Sequence, residues 1–280
     1  MSWAELASMA PGWLIGGSAL LGLLVGSFIN LLVRRLPLML QRQWERESRA
    51  VLGIDHPTQA RFDLWRPASH CPHCGHRLRW WENLPLLSWL ALRGRCSSCG
   101  AIIGWRYPVV EAGSALLAAL LVCRGGGPWQ LLLSWSLLAL ALIDLDCGLL
   151  PDALTLPLIW LGLLHASADP KLLVQAVWGA AAGYLSLWTV NAAYRSWRKV
   201  DGMGGGDFKL FALLGAWFGW PALPALLLLA SVTAAAVGLL QLACGLRQRS
   251  QPLAFGPYLA AAAIAALLWP ALLGSAGLGA

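Results

Sequence analysis

Long apolar stretches alternate with short polar ones along most of the chain, and one polar stretch, residues 34–107, is far longer than the rest. Segments close to 20 apolar residues can cross a hydrocarbon core of roughly 30 Å as helices. The pattern predicts spans at about 13–33, 108–123, 128–143, 153–167 and 172–194. After Lys209 comes an uncharged run to Leu246, which as a single helix at 1.5 Å per residue would reach about 55 Å. Within it, "WPALP" (Trp220 to Pro224) carries two prolines, which break or kink helices. The run is therefore divided into spans at about 208–220 and 222–244, and a last span follows at about 253–273. The expected fold is an all-α polytopic membrane protein with about eight transmembrane helices. Residues 34–107 form a small domain between the first two.

Composition agrees with this reading. Hydrophobic residues make up 58% of the 280 and charged residues only 12%, against about 25% charged in soluble domains. The start, "MSWAELASMAPGW", has Glu5 and no Lys or Arg, so it lacks the basic n-region of a signal peptide. The net charge of +7 matters less than its distribution. Of 20 Lys and Arg residues, 12 lie between Arg34 and Arg106. With that loop cytoplasmic, eight spans also place Arg195, Arg198, Lys199, Lys209, Arg247 and Arg249 inside, leaving only Arg124 and Lys171 outside. This is the asymmetry of the positive-inside rule. It predicts both chain ends outside and a lipid bilayer, not nucleic acid, as the partner of the basic surface.

The polar loop contains "CPHC" and "CSSC". Two C-x-x-C hooks, Cys71 with Cys74 and Cys96 with Cys99, supply four thiolates, which is the tetrahedral shell of a closed structural Zn²⁺ site. A pair of disulfides is the rival reading, but cytoplasmic thiols are mostly kept reduced. His70, His73 and His76 crowd the first hook and are read as surface residues beside it. Cys123, Cys147 and Cys244 are scattered at span ends and read as small apolar residues.

Five of the eight aspartates gather at one membrane face: Asp144, Asp146 and Asp152 in "LIDLDCGLLPD", and Asp201 and Asp207 in "DGMGGGDFKLF". Asp144 and Asp207 each directly abut an apolar run, and carboxylates at membrane depth are costly and usually functional. Asp146, Asp152 and Asp201 read as interfacial loop residues. Two adjacent carboxylates can share one proton, so that one activates water while the other donates to a scissile carbonyl. The same pair could equally bind a cation in a transporter, and spacing alone leaves the two readings level. The glycines before Asp207 would permit a close backbone approach or a positive φ. They do not form a phosphate loop, since no strand precedes them and no G-x-x-x-x-G-K-[ST] is present.

One ordered set of motifs goes further. "GSFINLLVRRLP" (Gly26 to Pro37), the two cysteine hooks, "RYPVVE" (Arg106 to Glu111), "IDLDCGLLPD" (Ile143 to Asp152), "GMGGGDFK" (Gly202 to Lys209) and "FGPYLA" (Phe255 to Ala260) occur in turn across almost the whole chain. In order and spacing the chain resembles the bacterial type IV prepilin peptidases, which are membrane aspartic proteases of the G-x-G-D kind with an attached N-methyltransferase activity. The resemblance implies cleavage of prepilin and type II secretion pseudopilin leaders after a glycine, at the cytoplasmic face of the bacterial inner membrane. It implies N-methylation of the new N-terminal residue from S-adenosylmethionine. It assigns the catalytic acids to Asp144, seven residues before Pro151, and to Asp207 of the G-x-G-D element. Cys147 stands where relatives often have histidine. The long loop with its cysteines favours the bifunctional form, because shorter relatives without it are generally taken as peptidases only. The implied organisation is an N-terminal region with the first span over residues 1–33, a zinc-binding, methyltransferase-associated domain over 34–107, and a peptidase domain over 108–280.

Overall fold

The fold is taken from a computed structural model, which describes residues 11–54, 61–246, 248 and 253–276. The first ten residues and two cations of the charge argument, Arg247 and Arg249, lie outside the described residues. Among the described residues every regular element is helical, apart from two isolated β-bridges. The chain divides into two compact units, Met1–Gly127 and Pro128–Ala280.

The first unit contains α1 (Pro11–Val51), the short α2 (Leu87–Ala91) and α3 (Arg106–Cys123). Helix α1 does not stop near Val33, where its apolar run ends, but continues through Pro37 for 41 residues. Its second half is rich in Gln, Arg and Glu, which propagate helix readily in water. At 1.5 Å per residue it is about 62 Å long, roughly twice a hydrocarbon core. Helix α3 packs along α1 on a seam of small residues. A Cβ at Gly22 would lie 2.7 Å from the Ala115 Cα, and one at Gly26 would lie 2.7 Å from the Glu111 Cα. Such small-xxx-small seams let two membrane helices approach backbone to backbone.

The second unit holds α4 (Pro128–Cys147), α5 (Asp152–Ala166), α6 (Pro170–Arg198), α7 (Gly205–Phe218), α8 (Leu223–Ala243) and α9 (Gly256–Leu268). Helix α7 is its axis. From Asp207 to Phe218 every residue except Lys209 is buried, which is how a helix that is apolar all round must sit. It packs chiefly on α6 and α5. The closest approach is between Gly179 and Gly215, where a Cβ at either would fall 2.2 or 2.0 Å from the other's carbonyl oxygen. Gly215→Val is expected to cost about 3 kcal/mol, the upper range for overpacking, read as a lowered midpoint of detergent-induced unfolding. The turn between α7 and α8 is made by Gly219, at φ 75°, followed by the single 3₁₀ turn Trp220–Ala222. The division of the long apolar run thus falls at "WPALP", where the prolines put it.

Five helical segments are long and apolar enough to cross a membrane: Gly12–Val51, Arg106–Cys123, Pro128–Cys147, Pro170–Arg198 and Trp220–Ala243. The remaining apolar helices α5, α7 and α9 have 15, 14 and 13 residues. Each spans only about 20–22 Å, less than a full hydrocarbon core, so by length and composition the described residues support five of the eight expected spans.

Candidate active site and metal centre

Of the five clustered aspartates, the fold buries two. Asp144 is 6% and Asp207 9% exposed, whereas Asp146, Asp152 and Asp201 are exposed. Asp144 occupies the last turns of α4 and continues its buried stripe, Leu133, Leu137 and Leu140, at the i+4, i+3, i+4 spacing of one helix face. Asp146, two residues on, is turned away by about 200°. Asp207 is the third residue of α7, and its N–H is donated to the Gly204 carbonyl at 3.2 Å. The two carboxylates are near enough to interact electrostatically.

The walls around them are made by absent side chains. A Cβ on Gly256, the first residue of α9, would come within 2.6 Å of Asp144 Oδ2, and one on Gly206 within 2.8 Å of Leu150 Cβ. Leu150 itself stands 3.2 Å from the Gly256 position, so it is wedged between the two glycines. Asp144 Oδ2 is buried and, among the described residues, has no hydrogen-bond partner of normal geometry, although the Gly256 N–H faces the carboxylate. An orphaned buried carboxylate oxygen in a folded protein calls for an explanation.

The segment leading to Asp207 is tied to α6. Asn191 Oδ1 accepts the N–H groups of Gly202 and Met203 at 2.9 and 3.1 Å, and the Asn191 side-chain amide reaches Asp201 at 3.4 Å. Gly202 lies against the Tyr194 ring, where a Cβ would be 2.8 Å from Cδ1. None of Gly202, Gly204, Gly205 and Gly206 has a positive φ. Of the two uses expected for these glycines, the structure shows close approach. Lys209 Nζ donates to both oxygens of Asp152, at 2.6 and 2.8 Å, and so joins the first turn of α7 to the start of α5.

The first unit gathers Cys71, Cys74, Cys96 and Cys99. Their sulfurs all lie within 4.8 Å of one another, with Cys71–Cys99 at 3.9 Å and Cys74–Cys96 at 4.0 Å. Four thiolates around a metal at 2.3 Å stand about 3.8 Å apart, so the set fits a tetrahedral ion. None of the seven cysteines is in a disulfide.

Each hook closes the same way. Gly75 and Gly100, at φ 71° and 70°, donate N–H to the Cys71 and Cys96 carbonyls. Backbone N–H groups converge on the leading sulfurs. Those of Cys74 and His73 bring the Cys71 thiol down to about 7, and those of Cys99 and Ser98 lower the Cys96 thiol. Glu82 braces one hook to the other through His76, at 3.3 Å, and the Ser97 hydroxyl. The histidines beside the first hook are not part of the four-sulfur group: His76 turns to Glu82, and His70 Nδ1 lies 2.9 Å from the Ala68 carbonyl.

Sequence reasoning did not single out Gly256, Leu150 or Asn191. For Gly256 a signal existed in "FGPYLA", which belonged to the ordered motif set without a role. Leu150 likewise lay inside "IDLDCGLLPD" without a role, whereas Asn191 gave no signal, being an ordinary residue placed by the fold.

Comparison with known proteins covers both units. The model of the bacterial peptidase A24 N-terminal domain matches residues 20–124, and that of the type IV leader peptidase family matches residues 131–239. The chain is 53% identical over 272 residues to a Pseudomonas putida protein named "Prepilin leader peptidase/N-methyltransferase", covering 95% of this chain and 94% of that one. It is 50% identical over 275 residues to the Stutzerimonas stutzeri protein of the same name, covering 96% and 95%. With that of Pseudomonas aeruginosa it is 51% identical over 261 residues, covering 89% and 88%. No solved structure matches. Two family models in tandem, and relatives half-identical from end to end, establish that this chain belongs to the type IV leader peptidase family.

Proposed function

We propose that this chain cleaves the leader peptide from prepilins and pseudopilins with an Asp144/Asp207 dyad, and then N-methylates the new N-terminal residue. One observation carries the dyad: two interacting carboxylates are buried together against glycine backbone, and among the described residues Asp144 Oδ2 has no hydrogen-bond partner of normal geometry. Water and a peptide carbonyl are the partners that such a site lacks.

In this reading one carboxylate takes a proton from water as the water oxygen attacks the scissile carbonyl, and the other, protonated, donates to the carbonyl oxygen. When the tetrahedral intermediate collapses, the C–N bond breaks and the leaving amine takes up a proton. Gly206 and Gly256 let Leu150 and the Asp144 carboxylate pack directly on backbone, and so crowded a site suits a glycine on the substrate side of the bond. The short α7 supports entry, because a helix of about 20 Å leaves its first turn accessible from one membrane surface through local thinning or a sunken end.

The charge distribution supports a bacterial inner-membrane protein with the cysteine-bearing region and the dyad on the cytoplasmic side. That side would hold the basic leader of the substrate, while its apolar helix stays in the bilayer. The four cysteines are proposed to bind a structural Zn²⁺, favoured by all-sulfur tetrahedral ligation. Residues 34–107 are proposed as the methyltransferase-associated region and 108–280 as the peptidase region. S-adenosylmethionine, when bound, supplies an electrophilic methyl group on a sulfonium.

The test uses the purified chain in detergent, a prepilin-like substrate and S-adenosylmethionine, followed by mass spectrometry. The expected result is loss of the leader mass, then gain of one methyl group on the mature product. An intact substrate across several prepilin sequences would overturn the reading.

A further inference from the structure

The first unit contains a cavity of about 670 Å³ between α1, the cysteine hooks and the start of α3. Ligand pockets run from about 300 to 1,000 Å³. Around this one stand Phe28, Asn30 and Arg34 from α1, Trp89 from α2, and Tyr107 and Glu111 from α3. We propose that this cavity is the binding site of the methyl donor S-adenosylmethionine, with Glu111 holding the donor's positive charge. The proposal rests on the bifunctional reading above and gives its second activity a place.

Glu111 is the informative residue. It is 8% exposed, and among the described residues no cation pairs with it. Its contacts are neutral: Oε2 accepts the Leu86 N–H at 2.8 Å, and the Ser27 hydroxyl lies alongside. Burying a carboxylate without a cation is costly, and Glu111 does so facing a cavity. The chain also maintains strain to hold this arrangement. Leu86 sits at φ 58°, ψ −48°, a conformation that bulky residues rarely adopt. Strain of this kind gathers at ligand sites.

The remaining walls match the rest of the donor. Arg34 uses one guanidinium nitrogen on the Tyr107 hydroxyl, at 3.1 Å, and its other donors suit the donor's carboxylate. Trp89 is fixed by its indole N–H on the Ile103 carbonyl, at 3.3 Å. With Phe28 and Tyr107 it supplies aromatic surface for the adenine, which has a π face to stack. Cys71 and Cys96 also line the cavity, so the metal centre holds one of its walls.

The step served is balanced without a further reagent. The sulfonium C–S bond breaks as the substrate's neutral amine forms a C–N bond to the methyl carbon. The donor leaves as a neutral thioether, and the methylated amine releases a proton.

The experiment measures equilibrium binding to the purified, metal-loaded full chain with two probes. One is S-adenosylmethionine, and the other is methylthioadenosine, the uncharged adenosyl fragment of the same molecule. Wild type is expected to bind both. Glu111→Gln is expected to weaken the charged probe by about tenfold and change the neutral one by less than about twofold, as loss of a charge-assisted contact implies. Equal weakening of both probes would mean that Glu111 only supports the fold, and unchanged binding of the charged probe would remove it from the site; either overturns the proposal. Ultraviolet cross-linking of radiolabelled donor to wild type, which depends on no variant, should label residues 24–38 or 83–111. Label confined to residues 128–280 would also overturn it. Leader cleavage measured on the same protein separates the two readings: cleavage without donor binding sinks this proposal alone, while donor binding without cleavage sinks the peptidase alone.

Discussion

Asp207→Asn and, separately, Asp144→Asn each lower the initial rate of leader cleavage by about 10³-fold or more, in the range set by removing a positioned acid or base. Asparagine keeps the shape of the side chain but can neither take a proton from water nor give one to a carbonyl. Both positions are buried, so trading a charge for an amide does not unfold the site, and the unfolding midpoint in detergent should be retained. The same substitution at Asp146 or Asp201, both exposed, should leave cleavage nearly unchanged. Asp152→Asn is an intermediate case. It loosens the pair with Lys209 that joins α5 to α7, but exposed ion pairs contribute only about 0.2–1 kcal/mol, so the rate should fall by no more than about fivefold. The order of the five variants is the decisive readout. If Asp146→Asn abolished cleavage and Asp144→Asn did not, the assignment of the first acid would be wrong.

Burial is what separates these five residues, and burial was the least legible property in the sequence. The existence of helices could be read from long apolar runs, and the break at "WPALP" from two prolines. The cysteine hooks could be grouped because their spacing is local. The facing of α4 could not be read, since nearly every position before Asp144 is apolar and no polar face marks the opposite side. The stripe of Leu133, Leu137 and Leu140 becomes visible only when neighbours cover it. The ordered motif set chose Asp144 over Asp146 by its distance from Pro151; in the fold Asp144 is buried and Asp146 exposed. The length of α1 was missed for the opposite reason. Its charges ended the membrane pattern at Arg34, but charge does not end a helix, and the Gln, Arg and Glu residues beyond favour its continuation. The cavity beneath the hooks combines α1, α2 and α3, a juxtaposition that no local pattern contains.

Removing the metal, by a strong chelator or by Cys96→Ser, should unfold the region around the hooks. Within residues 61–105 the buried apolar side chains among those described are Cys71 and Cys96 themselves. Trp65, Trp80, Leu87, Leu90 and Ile102 are all exposed, so no hydrophobic core stands behind the sulfurs. What remains is a set of polar contacts, among them the Glu82 brace, the anchoring of Arg35 on the carbonyls of Asp63, Leu64 and Pro67, and the Leu86–Glu111 and Trp89–Ile103 bonds, together with the proposed ion. Structural zinc contributes about 10–16 kcal/mol of apparent binding free energy near neutral pH, more than such contacts provide. The measurement pairs metal analysis with limited proteolysis. Wild type should carry one Zn²⁺ per chain and resist cleavage within residues 61–105, whereas Cys96→Ser should lose the ion and be cut there. Asp207→Asn should keep both the ion and the resistance, because that residue lies in the other unit. Loss of the metal should also remove S-adenosylmethionine binding, since two of the ligands line its proposed cavity. A metal-free chain that stayed protease-resistant would show that the hooks fold without their ion, and the four cysteines would lose their structural role.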